Sequence, residues 1–155
     1  MKPHATTRAI LTGGAIAGSL DIIYAFVLWG LRGVGPARIL RAVASGVLGE
    51  SARTGGATAA ALGLFLHFLN ACIIAAVYVL ASRGIPALLR RPFLYGPLYG
   101  LGVYGVMNYV VIPLSAVPGP RGASAPVVWI TGVLVHMFLI GLPIALVARS
   151  LSERA

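Results

Sequence analysis

Charge is scarce in this chain, and acidic charge is nearly missing. Only 10% of its 155 residues are charged, and three acids stand against twelve Lys and Arg, for a formal charge of +9. With 59% hydrophobic residues and a mean hydropathy of +0.94, a soluble domain is excluded. The bases lie in loops and tails beside apolar runs. They read as topology signals and as contacts for anionic lipid headgroups, Arg38, Arg41, Arg90 and Arg91 among them, and not as a nucleic-acid face.

Cysteine is equally thin. Cys72 alone can form neither an intrachain disulfide nor a thiolate metal site, and inside an apolar run it reads as a small buried hydrophobe. HExxH and paired-cysteine spacings are missing, so a metal ion has no motif behind it. Gly13-Gly14 and Gly55-Gly56 match no phosphate-binding loop. Ser19 lies two residues from Asp21, on a different helix face, which leaves Ser-His-Asp chemistry unsupported. No catalytic residue is assigned, and nothing marks the chain as an enzyme.

What the chain does have is apolar length. Four segments, residues 9–30, 58–81, 94–116 and 127–148, are each long enough for the ~20-residue crossing of a bilayer. They leave no room for a second domain. The expected fold is therefore all-α: one domain, 1–155, of four transmembrane helices built as two hairpins. The first segment is too long for the apolar part of a signal peptide and lacks a small-residue cleavage site, so it reads as a retained span. Residues 36–48 (PARILRAVASGVL) put Ile39, Leu40, Val43 and Val47 on one side and Arg38, Arg41 and Ser45 on the other. That pattern predicts a short amphipathic helix in the headgroup region, with Pro36 in its first turn. Pro113 should kink the third span or loosen its last turns.

Polar residues inside the spans carry the functional argument. The second span holds His67 and Asn70, three apart on one helix face, with Tyr78 returning to that face about three turns on. The first holds Asp21, the sole aspartate, on a face with Gly14 and Gly18. Asn108 is central in the third span and His136 in the fourth. At 1.5 Å per residue, His67 and His136 lie roughly 14–15 Å from the face their helices enter, and Asp21 and Asn108 come within about one turn of that level. Gly14, Gly18, Gly96 and Gly100 form small-residue faces that let neighbouring helices approach. Two echoes, Gly18-x-x-Asp21 with Gly105-x-x-Asn108 and Gly63-x-x-x-His67 with Gly132-x-x-x-His136, suggest a duplicated hairpin. Seven bases fall on the side of the termini (Lys2, Arg8, Arg83, Arg90, Arg91, Arg149, Arg154) and five on the other (Arg32, Arg38, Arg41, Arg53, Arg121). That excess favours cytoplasmic termini.

Ile16-Ala17-Gly18 with Trp29-Gly30, His67 with Tyr78, Gly96-x-x-x-Gly100 leading to Asn108, Pro113 and Pro118, and His136 together resemble the YagU family of small bacterial inner-membrane proteins. The similarity runs from about Ile16 to Leu151. It implies a multi-pass helical bundle in the bacterial inner membrane and implies no biochemical activity. The family's third span can carry a histidine where this chain has Asn108, which bears against any mechanism needing three histidines.

Three readings of Asp21, His67, Asn70, Asn108 and His136 follow, beside a fourth, catalysis on a membrane substrate, for which no nucleophile is marked. They could be interhelical hydrogen-bond glue, although serine or threonine would serve more cheaply than a carboxylate. They could form a site for a proton, a metal ion or a small solute. Alternatively, His67 and His136 could be axial ligands of a b-type haem in a four-helix bundle. A homo-oligomer or a membrane-complex partner stays open. The expected geometry is one midplane cluster in a simple ring of helices, with the histidine helices on one diagonal.

Overall fold

The computed structural model describes residues 3–119 and 126–153. Lys2, Arg121 and Arg154 from the charge tally, and most of the last interhelical loop, lie outside them. The described chain runs α1 (Pro3–Gly30), α2 (Pro36–Leu48), a 3-10 turn (Gly49–Arg53), α3 (Gly56–Gly84), the short α4 (Ala87–Arg90), α5 (Pro92–Leu114) and α6 (Pro126–Glu153). Among the described residues there is no strand, and α1, α3, α5 and α6 are long and apolar enough to cross a membrane. This is an all-α four-helix membrane protein.

The helices overrun the apolar windows. α1 starts at Pro3, with the Thr7 hydroxyl donating to the Pro3 carbonyl, and α6 continues to Glu153, which pairs with Arg149 at 2.8 Å. At 1.5 Å per residue, 28 residues reach about 42 Å, beyond the ~30 Å hydrocarbon core, so the polar ends stand among headgroups. Apolar side chains such as Ile23, Phe65, Ile73 and Phe138 cover the outside, where lipid tails are their solvent.

Small residues decide how tightly the bundle closes. Toward the chain termini, Ala9, Ala75, Val79, Ile144 and Ala148 are fully buried and α1 packs against both α3 and α6. Tyr78, 1% exposed, donates to the Leu88 carbonyl and meets the Tyr99 ring edge-on, while Tyr99 donates to the Ile74 carbonyl. Tyr78 thus belongs to this packed end, about three turns from the midplane pair His67 and Asn70. A Cβ on Gly14 would come within 2.7 Å of Cys72 Sγ, and one on Gly18 within 2.9 Å of the Phe68 ring. Gly96 and Gly100 bring α5 as close to α6, where Gly141 answers them. Farther along, the helices part.

The ring is uneven. α5 packs along α6 but makes little contact with α3, so one seam of the bundle is thin. It is bridged by the Tyr99 hydroxyl on Ile74 and by a 3.5 Å contact from Asn70 Nδ2 to Met107 Sδ.

Both late spans carry a π-helical turn, at Met107–Val111 and His136–Gly141, and each precedes a proline, Pro113 or Pro143. A proline ring clashes with the carbonyl four residues back, and widening the preceding turn moves that carbonyl aside. The distortion anticipated at Pro113 takes this form. It has a twin at Pro143.

α2 has the expected bounds, but its buried side differs from the one that periodicity gives. It rests on α3, where Gly63 lets the Leu40 carbonyl approach, and the Ala116 N–H donates to the Gly46 carbonyl at 3.0 Å. Ser45, placed on the polar side by periodicity, is 6% exposed, whereas Val47, placed on the apolar side, is 65% exposed. The reason is that the buried face is set by the small residues Ala44 and Ser45, which permit close contact. Ser45 meets its own need by donating to the Ala42 carbonyl at 2.6 Å. Gly33 and Gly49, with φ of +77° and +59°, turn the chain into and out of α2.

Candidate functional site

Where the four spans part, they leave a cavity of about 640 Å³. Asp21 from α1, His67 and Asn70 from α3, Asn108 from α5 and His136 from α6 all line it. Apolar side chains of α2, including Ile39, Val43 and Val47, line the end away from the termini. The volume is that of a small-molecule site, mostly apolar with a few convergent polar groups.

The histidines are held similarly. His67 Nε2 lies 2.8 Å from the Gly18 carbonyl across the α1–α3 contact, and His136 Nδ1 lies 2.8 Å from the Gly132 carbonyl one turn back in α6. A carbonyl only accepts, so each of these nitrogens carries the proton. Nδ1 of His67 and Nε2 of His136 are left without a protein partner among the described residues. Phe68 and Tyr104 rings stand edge-on to the imidazoles, with centroids 5.3 and 5.2 Å away, and fix their planes. A backbone-held imidazole with its second nitrogen free can take a proton or bind a ligand.

The asparagines also turn their amide nitrogens to the protein, one bond each. Asn108 Nδ2 donates to the Tyr104 carbonyl at 2.9 Å, and Asn70 Nδ2 reaches Met107 Sδ. Both π turns therefore contain or begin with a cavity side chain that bonds back to the carbonyl four residues earlier. Such bonding competes with the backbone ladder where it widens.

Asp21 differs from both. Of the three acids, Glu50 is paired with Arg53 at 3.2 Å and Glu153 with Arg149. Asp21 is within electrostatic reach of His136 and His67, yet among the described residues no donor or cation bonds to its carboxylate. Among those residues, no group of three or more His, Cys, Asp or Glu side chains is gathered closely enough to hold a metal ion.

Three participants were not singled out from the sequence. The Tyr24 hydroxyl donates to Thr131 Oγ1 at 2.7 Å, joining α1 to α6, and Tyr104 supplies a further cavity hydroxyl. Tyr24 is one turn beyond Asp21 and Tyr104 one turn before Asn108, so a search along those faces could have found both. Thr131 carries no such signal.

The packing glycines define a hairpin register different from the sequence echoes. Gly14 and Gly18 meet α3 at Cys72 and at Phe68 and Ala71, while Gly96 and Gly100 meet α6 at Leu142 and at His136 and Met137. If the two histidines are equivalent, Gly18 corresponds to Gly100, whereas Gly105 faces open space. Asp21 then pairs with Val103, and Asn108 is no counterpart of it. Comparison with family models, with curated proteins and with solved structures found no match to this chain.

Proposed function

We propose that this chain is a multi-pass protein of the bacterial inner membrane, with cytoplasmic termini, whose cavity takes up a proton and a small solute at Asp21. The membrane assignment follows the resemblance to the YagU family, and the orientation follows the excess of basic residues beside the termini. With those termini inside, the α2 end of the cavity faces outward.

One observation carries the reading: Asp21 stands in the apolar bundle without a bonding partner among the described residues and lines the cavity. The glue reading accounts well for other contacts. His67 to Gly18, Tyr24 to Thr131 and Tyr99 to Ile74 each tie two helices, at an average of about 0.6 kcal/mol in membranes. Asp21 ties nothing. A carboxylate placed so expensively needs a partner from outside the chain, either a proton or a cationic or hydrogen-bonding solute. The two imidazoles, each with a free nitrogen, can exchange protons with it.

A b-type haem with His67 and His136 as axial ligands is the weaker alternative. It gains from the backbone-held imidazoles but must accommodate Asp21 within electrostatic reach of both rings, an unfavourable neighbour for an apolar macrocycle. A metal ion is weaker still, since the side chains are not gathered as ligands.

Infrared titration tests the reading, because only three side chains contribute carboxyl bands. Wild-type protein should show a carboxyl band that responds to pH, is missing in Asp21→Asn and shifts in His67→Ala. A band that does not respond to pH, or is unaffected by Asp21→Asn, would return Asp21 to a structural role.

A further inference from the structure

The balance of donors and acceptors around the cavity narrows the solute. His67 gives its N–H to Gly18, His136 to Gly132, and Asn108 and Asn70 direct amide nitrogens at Tyr104 and Met107. What these side chains leave uncommitted are acceptors: one imidazole nitrogen on each histidine and the carbonyl oxygen on each asparagine. The Asp21 carboxylate adds two more oxygens and a negative charge. Against them the cavity offers the Tyr104 hydroxyl, the Trp29 indole N–H and the second amide hydrogens of the asparagines. Among the described residues, no Arg or Lys lines it.

Such a site disfavours an anion. It also wastes its acceptors on a cation lacking N–H bonds, such as a quaternary ammonium. A protonated primary amine fits both the charge and the surplus, since it brings a positive charge and three N–H donors to a lining richer in acceptors than in donors.

The rest of the lining describes the remainder of the molecule. From the polar level toward α2 the walls are Leu28, Val111, Ile112, Val128, Ile39 and Val43. A hydrocarbon body can lie there while its head meets Asp21. The thin seam between α3 and α5 gives such a molecule a route from the lipid phase. Resting on the reading of Asp21 given above, we propose that the cavity binds an amphiphilic primary amine as its ammonium ion, head at Asp21 and hydrocarbon toward α2.

The experiment uses the full chain in nanodiscs of zwitterionic lipid, with empty discs as the blank, and four six-carbon probes. Calorimetry compares hexylamine with hexyltrimethylammonium, hexanol and hexanoate. Hexylamine should bind best, and Asp21→Asn should weaken it on the order of thirtyfold or more, the range expected when one member of a buried charge pair is removed. Asp21→Glu, which keeps the charge, should retain most of the binding and shows that the loss in Asp21→Asn is not misfolding. Hexanol or hexanoate binding as tightly as hexylamine would overturn the ammonium assignment, and hexyltrimethylammonium binding as tightly would overturn the role of the N–H donors. If no probe binds while the Asp21 infrared band still titrates, the amine is wrong and the protonation site stands; if the band is silent too, both fail.

Discussion

At the scale of single residues, the sharpest contrast is between glycines of identical sequence appearance. A side chain on Gly100 would run into the His136 carbonyl, whereas one on Gly102 would meet open space. Both sit in the same helix, so intrinsic propensity favours alanine equally at the two positions. Gly100→Ala should therefore destabilise the protein by about 1–3 kcal/mol through overpacking. Gly102→Ala should be neutral or slightly stabilising, within about 0.5 kcal/mol. Unfolding in mixed detergent micelles measures both, and equal effects would mean that α5 and α6 are not in contact there. Gly96-x-x-x-Gly100 and Gly14-x-x-x-Gly18 were legible because small residues one turn apart have a simple physical use. Gly63 and Gly141, which approach a neighbouring backbone just as closely, have an alanine and not a second glycine four residues away, and were not.

Among the elements, α2 shows where periodicity stops informing. Its limits were readable from Pro36 and the glycines around it, and its apolar stripe correctly included Ile39. The stripe failed at Ser45 and Val47, because Ala44 and Ser45 are buried for their size and not for their hydropathy. With Cys72 replaced by alanine, nitroxides at Ala44 and Ser45 should be immobile and those at Ala37 and Val47 mobile. Uniform mobility would detach α2 from α3. The π turns had half a signal. Pro113 and Pro143 mark where the α-helix is disturbed, but the form of the disturbance depends on Asn108 and His136 bonding back to their own helices.

For the molecule as a whole, four long apolar helices were the most legible feature, because ~20-residue apolar runs admit almost no other structure in lipid. Their mutual arrangement was less so. A symmetric ring follows from short connections alone, but the alanine- and glycine-rich faces close α1 on α3 and α6, and α5 on α6, while α3 and α5 stay nearly apart. That inequality makes the cavity. Depth counting placed Asp21, His67, Asn70, Asn108 and His136 at one level; it could not show that the bundle opens there.

At this scale the account holds that these residues face one accessible cavity and not lipid or sealed packing. Thiol labelling tests it most directly. In a Cys72→Ala background, single cysteines at Asp21, Asn70 and Asn108 should react with a small water-soluble thiol reagent. Cysteines at Ile23, Leu69 and Leu101, on the outer faces of the same helices, should stay unmodified in the membrane. Equal reactivity of the two sets, or protection of all three cavity positions, would contradict the account.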